Sequence, residues 1–492
     1  MLKLKLLIPI FFYDFNPIKM EIVSVLPNLS ISISNELRKF NTCFAKKSKN
    51  HMSNLRQIVR GSLLQSESFL SSYSKNVNPE RTTRTVISAM SNTLGKLNLE
   101  KFQEIHIEKE GRKFSSEKVF LFIDGGDIQK QYSAQEPYAS EEVFGEPYIR
   151  TNNRDYPLEK VCGNVDGDKG HKPGRGYLLE GIVAYGEHSK NISGLNLNLY
   201  STAEDEYKSA FDEQKKGLEK IKENFEPSCF DRVVVEDRGG DDVAKFEWYL
   251  HQSDFSFLTR INTHKRSRKL INLETGELEN GLEIATRSKR EGKIGAEKKW
   301  KNKHSKNPEF KNKKITSRIG YKKVALKEFP ETSLTLILAW SDCYKEPLLL
   351  LTDQKITSKT DAWKYFFVYR KRWEIEKMYR ELKQDFGLEK TRVRSLQKQK
   401  TLAFLLMYIW NFSKLLHKKK SQLLEKAVDI FKIYLKRNQK KDNEFSFLNF
   451  LRERIQPLSE TYSYRKSAQF FSAICLEPNR KQLRMFLYER MS

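Results

Sequence analysis

The sequence has few cysteines and lacks the short motifs that mark common zinc and nucleotide sites. Its five cysteines, at positions 43, 162, 229, 343 and 475, are widely spaced and form no CxxC pair. We therefore expect neither a disulfide framework nor a structural zinc site. The eight histidines include no HExxH motif, and no GxxxxGKS/T motif is present, which argues against zinc hydrolases and P-loop NTPases. This cysteine usage fits a reducing cytosol.

Long apolar runs are also missing. The first 13 residues hold a short run that contains Pro9 and meets Asp14 without a small-residue cleavage site, so we do not expect a signal peptide. The apolar run at 402–412 is far below the roughly 18 residues needed to cross a bilayer. The sequence therefore predicts a cytoplasmic protein without a membrane partner.

Negative charge is scarce relative to positive charge. The 492 residues include 89 Lys and Arg but 63 Asp and Glu, a formal net charge of +26. Such a charge attracts polyanions; nucleic acid is the first candidate and an anionic membrane surface the second. Hydrophobic residues make up 38% of the chain, enough for a sizeable core. The length suits one large catalytic domain with appended modules.

Two short apolar segments each end in an aspartate. Residues 119–124 are a continuous apolar run, typical of a buried strand, that closes on Asp124, and residues 232–237 predict another short strand, with three valines, that closes on Asp237. Further strands are predicted at 176–185, 195–199, 255–261, 333–340 and 347–352, with helices at 204–224 and 241–252. Strands and helices intermixed in this way predict an α/β catalytic core.

A predicted helix from about 361 to 384 carries a distinctive set of polar residues. At 100° per residue, one stripe of about 60° holds four of them: Tyr369, Arg372, Glu376 and Lys383. Arg372 and Glu376 alone are also consistent with a solvated i,i+4 pair worth about 0.2–0.5 kcal/mol. Together with two strand-end aspartates, however, Glu376 completes a set of hard oxygen ligands suited to Mg²⁺.

The spacing Tyr369-x2-Arg372-x3-Glu376-x6-Lys383 resembles the Tyr-Arg-Glu-Lys signature of bacterial insertion-sequence transposases with a DDE active site. The segments 123–127 and 235–239 resemble those that carry the two catalytic aspartates of this family. The resemblance covers about residues 115–415. It implies an RNase H-like core with a β-rich insertion and flanking helical regions.

The resemblance also implies chemistry. Asp124, Asp237 and Glu376 would be the catalytic metal ligands for Mg²⁺, with Mn²⁺ as a substitute. Tyr369, Arg372 and Lys383 would contact DNA phosphates, and the activity would be cut-and-paste transposition, generally through a hairpin intermediate. One departure is the pair 125–126, both glycine, where relatives often carry a hydroxyl residue near the second position. This makes Asp127 a rival to Asp124, although Asp124 closes the apolar run and is preferred.

A basic stretch at 286–314 lies in the expected insertion. Its residues Lys298, Lys299 and Trp300 are candidate DNA contacts. In the family an insertion aromatic stabilises a flipped base, but Trp300 cannot be aligned by motif, and a packing role is the alternative. A solvated loop is the alternative interpretation for the lysines.

The predicted organisation has five parts. They are a mainly helical region with a possible DNA-binding module at 1–110, the first part of the core at 115–262, a β-rich basic insertion at 263–345, the remainder of the core at 346–415, and a helical region for dimerisation at 416–492. The expected partners are double-stranded DNA, as terminal inverted repeats and target, and a second copy of the chain. The alternatives are a nuclease of the same fold and an inactive DNA-binding derivative that acts as a repressor.

Overall fold

The fold was obtained as a computed structural model. It describes residues 32–44, 49–64, 83–130, 148–151, 154–165, 174–225, 231–263, 268–295, 297–301, 314–342, 344–391 and 393–418. The N-terminal apolar run, part of the basic stretch and nearly all of the predicted dimerisation region lie outside these residues. None of the described helices is long and apolar enough to span a membrane.

The described strands form a large mixed sheet and one separate hairpin. The strands are β1 Val119–Gln129, β2 Tyr148–Thr151, β3 Arg154–Pro157, β4 Cys162–Val165, β5 Gly174–Gly186, β6 Ile192–Tyr200, β7 Arg232–Glu236, β8 Ser256–Arg260, β9 Lys269–Asn272, β10 Leu278–Asn280, β11 Glu297–Lys301, β12 Lys314–Leu326, β13 Phe329–Ser341 and β14 Leu348–Thr352. Strands β2 and β3 form the hairpin, and the other twelve belong to the large sheet.

The helices lie on both faces of this sheet. They are α1 Lys49–Leu64, α2 Thr83–Lys96, α3 Leu99–Gly111, α4 Ala210–Asn224, α5 Val243–Glu247, α6 Gly281–Arg290, α7 Lys359–Lys371, α8 Trp373–Arg380 and α9 Leu396–Lys418. Short 3-10 helices occupy Arg38–Cys43, Arg112–Phe114, Arg238–Gly240 and Leu388–Lys390. The α/β architecture predicted from the sequence is confirmed.

Five neighbouring strands make up the centre of the sheet, in the order β6-β5-β1-β7-β8. Strand β1 pairs in parallel with β7, which pairs in parallel with β8, whereas β5 runs antiparallel to both of its neighbours, β1 and β6. Helix α4 connects β6 to β7, and α5 connects β7 to β8. The connection from β7 to β8 is of the kind that neighbouring parallel strands require.

Strand β1 is apolar at every position from 119 to 123 because both of its faces are buried. Phe120 and Phe122 belong to the core beneath α7, α8 and α9. Leu121 and Ile123 belong to a second core, which includes residues of α4 and α5. This burial on both sides fixes β1 at the centre of the molecule, and the strand continues six residues past Ile123.

The β-rich segment between β8 and α7 extends the core sheet. Strand β14 pairs with β8, β13 with β14, and β12 with β13, all antiparallel. Strands β9 and β11 then pair with β12. In its described part, the segment predicted as an insertion therefore continues the same sheet.

The predicted single helix at 361–384 is helical but not one regular α-helix, which corrects the sequence prediction. Helix α7 ends at Lys371, and Arg372 forms a tight turn in which its N–H bonds the carbonyl of Tyr369 at 3.1 Å. After α8, residues Glu381–Asp385 form a π-helical turn. Such turns shift the angular positions of the side chains that follow, so Lys383 leaves the stripe predicted at 100° per residue.

Helix α9 is anchored to β6 by a buried amide. The β5–β6 ladder shifts register between Gly194 and Asn196, so regular strand pairing is interrupted next to Gly194. The side chain of Asn411 accepts the Gly194 N–H at 2.8 Å and donates to the Gly194 carbonyl at 2.7 Å. His106 adds a second bond to this carbonyl at 2.8 Å. One side chain therefore satisfies both backbone groups at the irregularity.

Replacing Asn411 with alanine should lower the free energy of unfolding by about 2 kcal/mol, because the buried N–H of Gly194 loses its partner. Urea unfolding monitored by circular dichroism measures the change. The matched control is Gln397→Ala, an exposed position on the same helix, which should change the free energy by less than about 0.5 kcal/mol. Equal effects of the two substitutions would contradict this anchoring role.

Candidate active site

Asp124 lies within β1, which continues to Gln129, so the prediction that this strand ends at Asp124 is wrong. Asp237 directly follows β7, and the two aspartates lie side by side. Strands β1 and β7 pair from Val119↔Arg232 to Phe122↔Val235, and Asp124 and Asp237 each lie two residues beyond the last pair. Parallel strands present their C-terminal ends at the same edge. Each strand therefore delivers a carboxylate to the same place.

Asp237 is oriented by the turn that follows β7. Its carboxylate accepts the backbone N–H of Gly239 at 2.8 Å, as the N-cap of the 3-10 helix Arg238–Gly240. A short polar residue in this position is the ordinary way to satisfy a free N–H at a helix start. This cap bond uses Oδ1 of Asp237 and not Oδ2.

Arg372 bridges the aspartate of β1 and the glutamate of α8. Its Nη1 lies 2.8 Å from Oδ2 of Asp124, and its Nη2 lies 2.6 Å from Oε1 of Glu376. The guanidinium is a rigid fork of donors, which suits two carboxylates at once. Glu376 is thus held beside Asp124 although the two residues are far apart in the sequence.

Tyr379 joins the same helix to the backbone of β1. Its hydroxyl donates to the carbonyl of Asp124 at 2.5 Å. A Cβ on Gly181, the β5 residue paired with Asp124, would lie 2.6 Å from this hydroxyl, so glycine is required there. The sequence analysis missed Tyr379, although its place one turn after Glu376 was a usable signal.

Asp127 has different partners from Asp124. Its Oδ1 lies 3.0 Å from Nζ of Lys383, which also lies 3.5 Å from Oε1 of Glu389. Lys383 thus contacts the rival aspartate, whereas Arg372 contacts Asp124. Of the two aspartates, the geometry places Asp124 with Glu376.

Tyr369 lies next to the site on α7. Burial raises the pKa of its hydroxyl, while the nearby charges of Arg372 and Arg260 and a hydrogen bond from Arg260 oppose the rise. Arg260 is the last residue of β8 and was not identified from the sequence. A strand-terminal arginine carries no periodic signal, so only the sheet order brings it to this position.

The carboxyl group of Asp124 is difficult to ionise. Burial raises its pKa to about 6, and the charges of Asp237 and Glu376 contribute to the rise, whereas Arg372 opposes it. Like charges close together disfavour ionisation, and a cation between them relieves part of the cost. The raised pKa therefore reflects first the burial of Asp124 and, to a smaller extent, the two carboxylates beside it.

A buried acidic cluster, formed by Glu180, Glu213 and Glu236, lies on the opposite face of the sheet. Glu236 precedes Asp237 and accepts bonds from Gln214 at 2.9 Å and Tyr249 at 2.9 Å. Glu180 is paired with Gly125 across β1 and β5. Burial raises the pKa of Glu180 to about 8, with Glu236 and Asp124 adding to the rise and Lys245 opposing it.

The donor chemistry of Asp124, Asp237 and Glu376 fits a hard divalent cation, since such ions take oxygen ligands. Within the described ranges, however, no group of three or more His, Cys, Asp or Glu side chains is arranged to hold a metal ion. Arg372 takes one oxygen of Asp124 and one of Glu376. The three carboxylates fit a divalent cation chemically, but in this conformation Asp124 and Glu376 are paired with the guanidinium of Arg372.

The three candidate residues of the basic segment lie on β11. Trp300 donates from Nε1 to Ser317 at 2.8 Å, and the guanidinium carbon of Arg370 lies 3.5 Å from its ring centroid. Lys298 places Nζ 5.5 Å from the ring centroid of Trp363, and Lys299 is exposed. The contacts of Trp300 are those of a packed residue.

Comparison with known families identifies the family of the chain. The family model of the transposase DDE domain matches residues 166–412, half of the chain, and the chain belongs to this family. The match contains Asp237 and Glu376 but begins after Asp124. A search of curated proteins finds no match. The domain is RNase H-like, in agreement with the mixed sheet, and the family establishes a transposase with DNA as its substrate.

Replacing Glu180 with glutamine should make the protein more stable at pH 8, by about 4 kcal/mol, and leave it nearly unchanged near pH 4.5. The folded-state pKa near 8 lies above the usual 4.5. The wild type therefore loses stability as the pH rises through this interval, while the neutral amide does not. Thermal unfolding from pH 4.5 to 8 measures the difference. Glu223→Gln, on the exposed side of α4, is the control, and equal pH slopes for the three proteins would contradict the prediction.

Proposed function

We propose that this protein is a cut-and-paste DNA transposase of a bacterial insertion sequence, from the group with the Tyr-Arg-Glu-Lys signature. It cleaves the ends of its element and joins the freed 3′ ends to target DNA. The observation that carries the proposal is the Arg372 bridge, which holds Glu376 against Asp124. Asp237 follows the end of the neighbouring strand β7. Membership of the DDE family supports the proposal.

Asp124, Asp237 and Glu376 are proposed as the ligands of divalent cations, Mg²⁺ with Mn²⁺ as a substitute. When bound, such ions activate the attacking oxygen and stabilise the leaving oxygen of a phosphodiester. The protein's own contribution is to position the carboxylates on rigid elements. The bond from Tyr379 to the Asp124 carbonyl holds the spacing between α8 and β1.

Tyr369, Arg372 and Lys383 are proposed to contact DNA phosphates near the scissile bond. Guanidinium groups bind phosphates through two parallel hydrogen bonds, and ammonium groups act as point charges. Arg372 is the most central of the three, because its donors already face the carboxylates. Lys383 contacts Asp127, which is three residues after Asp124 in β1.

The partners proposed are double-stranded DNA, as terminal inverted repeats and target, and a second copy of the chain in the active complex. A formal net charge of +26 supports extensive phosphate contact. Lys298 and Lys299 extend this contact on β11. The guanidinium of Arg370 covers the ring of Trp300. Trp300 can contact DNA only when this guanidinium moves away from the ring. The proposed location is the cytoplasm, at the nucleoid when DNA is bound.

Replacing Glu376 with glutamine should leave DNA binding intact and lower Mg²⁺-dependent cleavage of the element end by more than about a hundredfold. Partners that merely orient metal ligands are worth 10–100-fold, so losing a ligand should cost more. Gel-shift and cleavage assays on one duplex, taken from DNA flanking the coding sequence, separate binding from cutting.

The matched control for this experiment is Glu374→Gln, which makes the same chemical change two residues earlier on α8. It should cleave like the wild type. Equal cleavage by both variants would show that the assignment of Glu376 is wrong. A wild type that binds the duplex but never cuts it would favour the repressor alternative.

A further inference from the structure

Arg372 occupies the position between two of the proposed metal ligands. Its side chain is 12% exposed, whereas those of Asp124 and Glu376 are 21% and 29% exposed. The guanidinium therefore lies beneath the carboxylates and is in contact with both. This arrangement neutralises charges that would otherwise repel each other at the edge of the sheet.

A guanidinium cannot lose its proton, so it cannot share these oxygens with a metal ion by becoming neutral. A divalent cation and Arg372 must compete for Oδ2 of Asp124 and Oε1 of Glu376. Breaking the bridge without replacing it leaves a partly buried cation unpaired, which is costly. The competition therefore favours Arg372 until another acceptor takes its donors.

The surroundings of Arg372 offer few substitutes for the two carboxylates. Asp237 acts on its charge from the end of β7, and the Tyr369 hydroxyl does so from α7. Arg260, the hydrogen-bond partner of Tyr369, adds a second cation there. A site with two guanidinium groups and an exposed edge suits an incoming phosphate diester, which accepts two parallel bonds from arginine.

We propose that Arg372 makes divalent-cation binding depend on DNA. Without DNA its guanidinium holds Asp124 and Glu376 and keeps the cation affinity low. A DNA phosphate that accepts its donors releases both carboxylates. This inference rests on the proposed function and adds a regulation of the same site, which prevents a metal-loaded centre from forming before DNA is in place.

Linkage gives the proposal a quantitative form. If DNA raises the affinity for the cation by some factor, the cation raises the affinity for DNA by the same factor. Coupling energies between binding sites typically correspond to about 5–150-fold. Removal of Arg372 should raise the affinity for the cation without DNA and abolish most of this coupling.

The test is a titration of the DNA-free full-length protein with Mn²⁺, followed by the electron paramagnetic resonance signal of the free ion. Arg372→Gln should bind Mn²⁺ at least about tenfold more tightly than the wild type. Lys377→Gln removes the same charge one residue from Glu376, at an exposed position. It should change the affinity less than about threefold, because it frees neither carboxylate.

Two further variants keep the test decisive. Adding Asp124→Asn to Arg372→Gln should remove the gain in Mn²⁺ affinity, which places the gain at this site. Arg372→Lys retains the charge but loses the fork, and should give an intermediate affinity even if the glutamine variant folds poorly. Thermal unfolding reports the folding of each variant.

The second measurement repeats the titration with the flanking-DNA duplex present. The wild type should gain at least about fivefold in Mn²⁺ affinity, and Arg372→Gln should gain much less. An unchanged affinity in Arg372→Gln and Arg372→Lys, or an equal gain in Lys377→Gln, would overturn the regulation by Arg372 but not the proposed metal site. If no protein binds Mn²⁺ even with DNA, the proposed metal site itself is wrong.

Discussion

The parallel pairing of β1 with β7 is the constraint on which the rest of the site depends. One register, from Val119↔Arg232 to Phe122↔Val235, sets Asp124 beside Asp237 at the C-terminal edge of the sheet. Packing of β1 against both cores helps to hold that register, because a slip of one residue would turn Asp124 to the opposite face of the sheet. The helix that carries Glu376 then needs only to be attached to this edge, and Arg372 and Tyr379 attach it.

The same concentration of carboxylates makes the folded state sensitive to charge. The side chain of Asp124 lies on one face of the sheet, and those of Glu180 and Glu236 lie on the other. Burial and mutual repulsion raise the pKa of both Asp124 and Glu180. Arg372 on one face and Lys245 on the other offset part of this cost. Functional sites commonly retain such unfavourable electrostatics because the chemistry needs the charges close together.

Much of this fold could be predicted from local patterns. The apolar runs that end in Asp124 and Asp237 indicate buried strands, and their C-terminal aspartates indicate a shared edge. The regular stripe on the following helix was predicted less well, because the turn at Arg372 and the π-helical turn at Glu381–Asp385 depend on tertiary contacts. Arg260 was missed for the same reason, whereas Tyr379 was missed although its place one turn after Glu376 was a usable signal. The catalytic roles of Asp124, Asp237 and Glu376 stay predictions.

The most direct test of the central claim is a strand-transfer assay. A pre-cleaved element end with a free 3′-hydroxyl is incubated with Mg²⁺, a supercoiled target plasmid and either the wild type or Asp237→Asn. The account predicts joined product with the wild type, and none with the variant or with an end that lacks the 3′-hydroxyl. Hydrolysis of DNA by the wild type without any joining would instead identify a nuclease. Joining by Asp237→Asn at the wild-type rate would contradict the site described above.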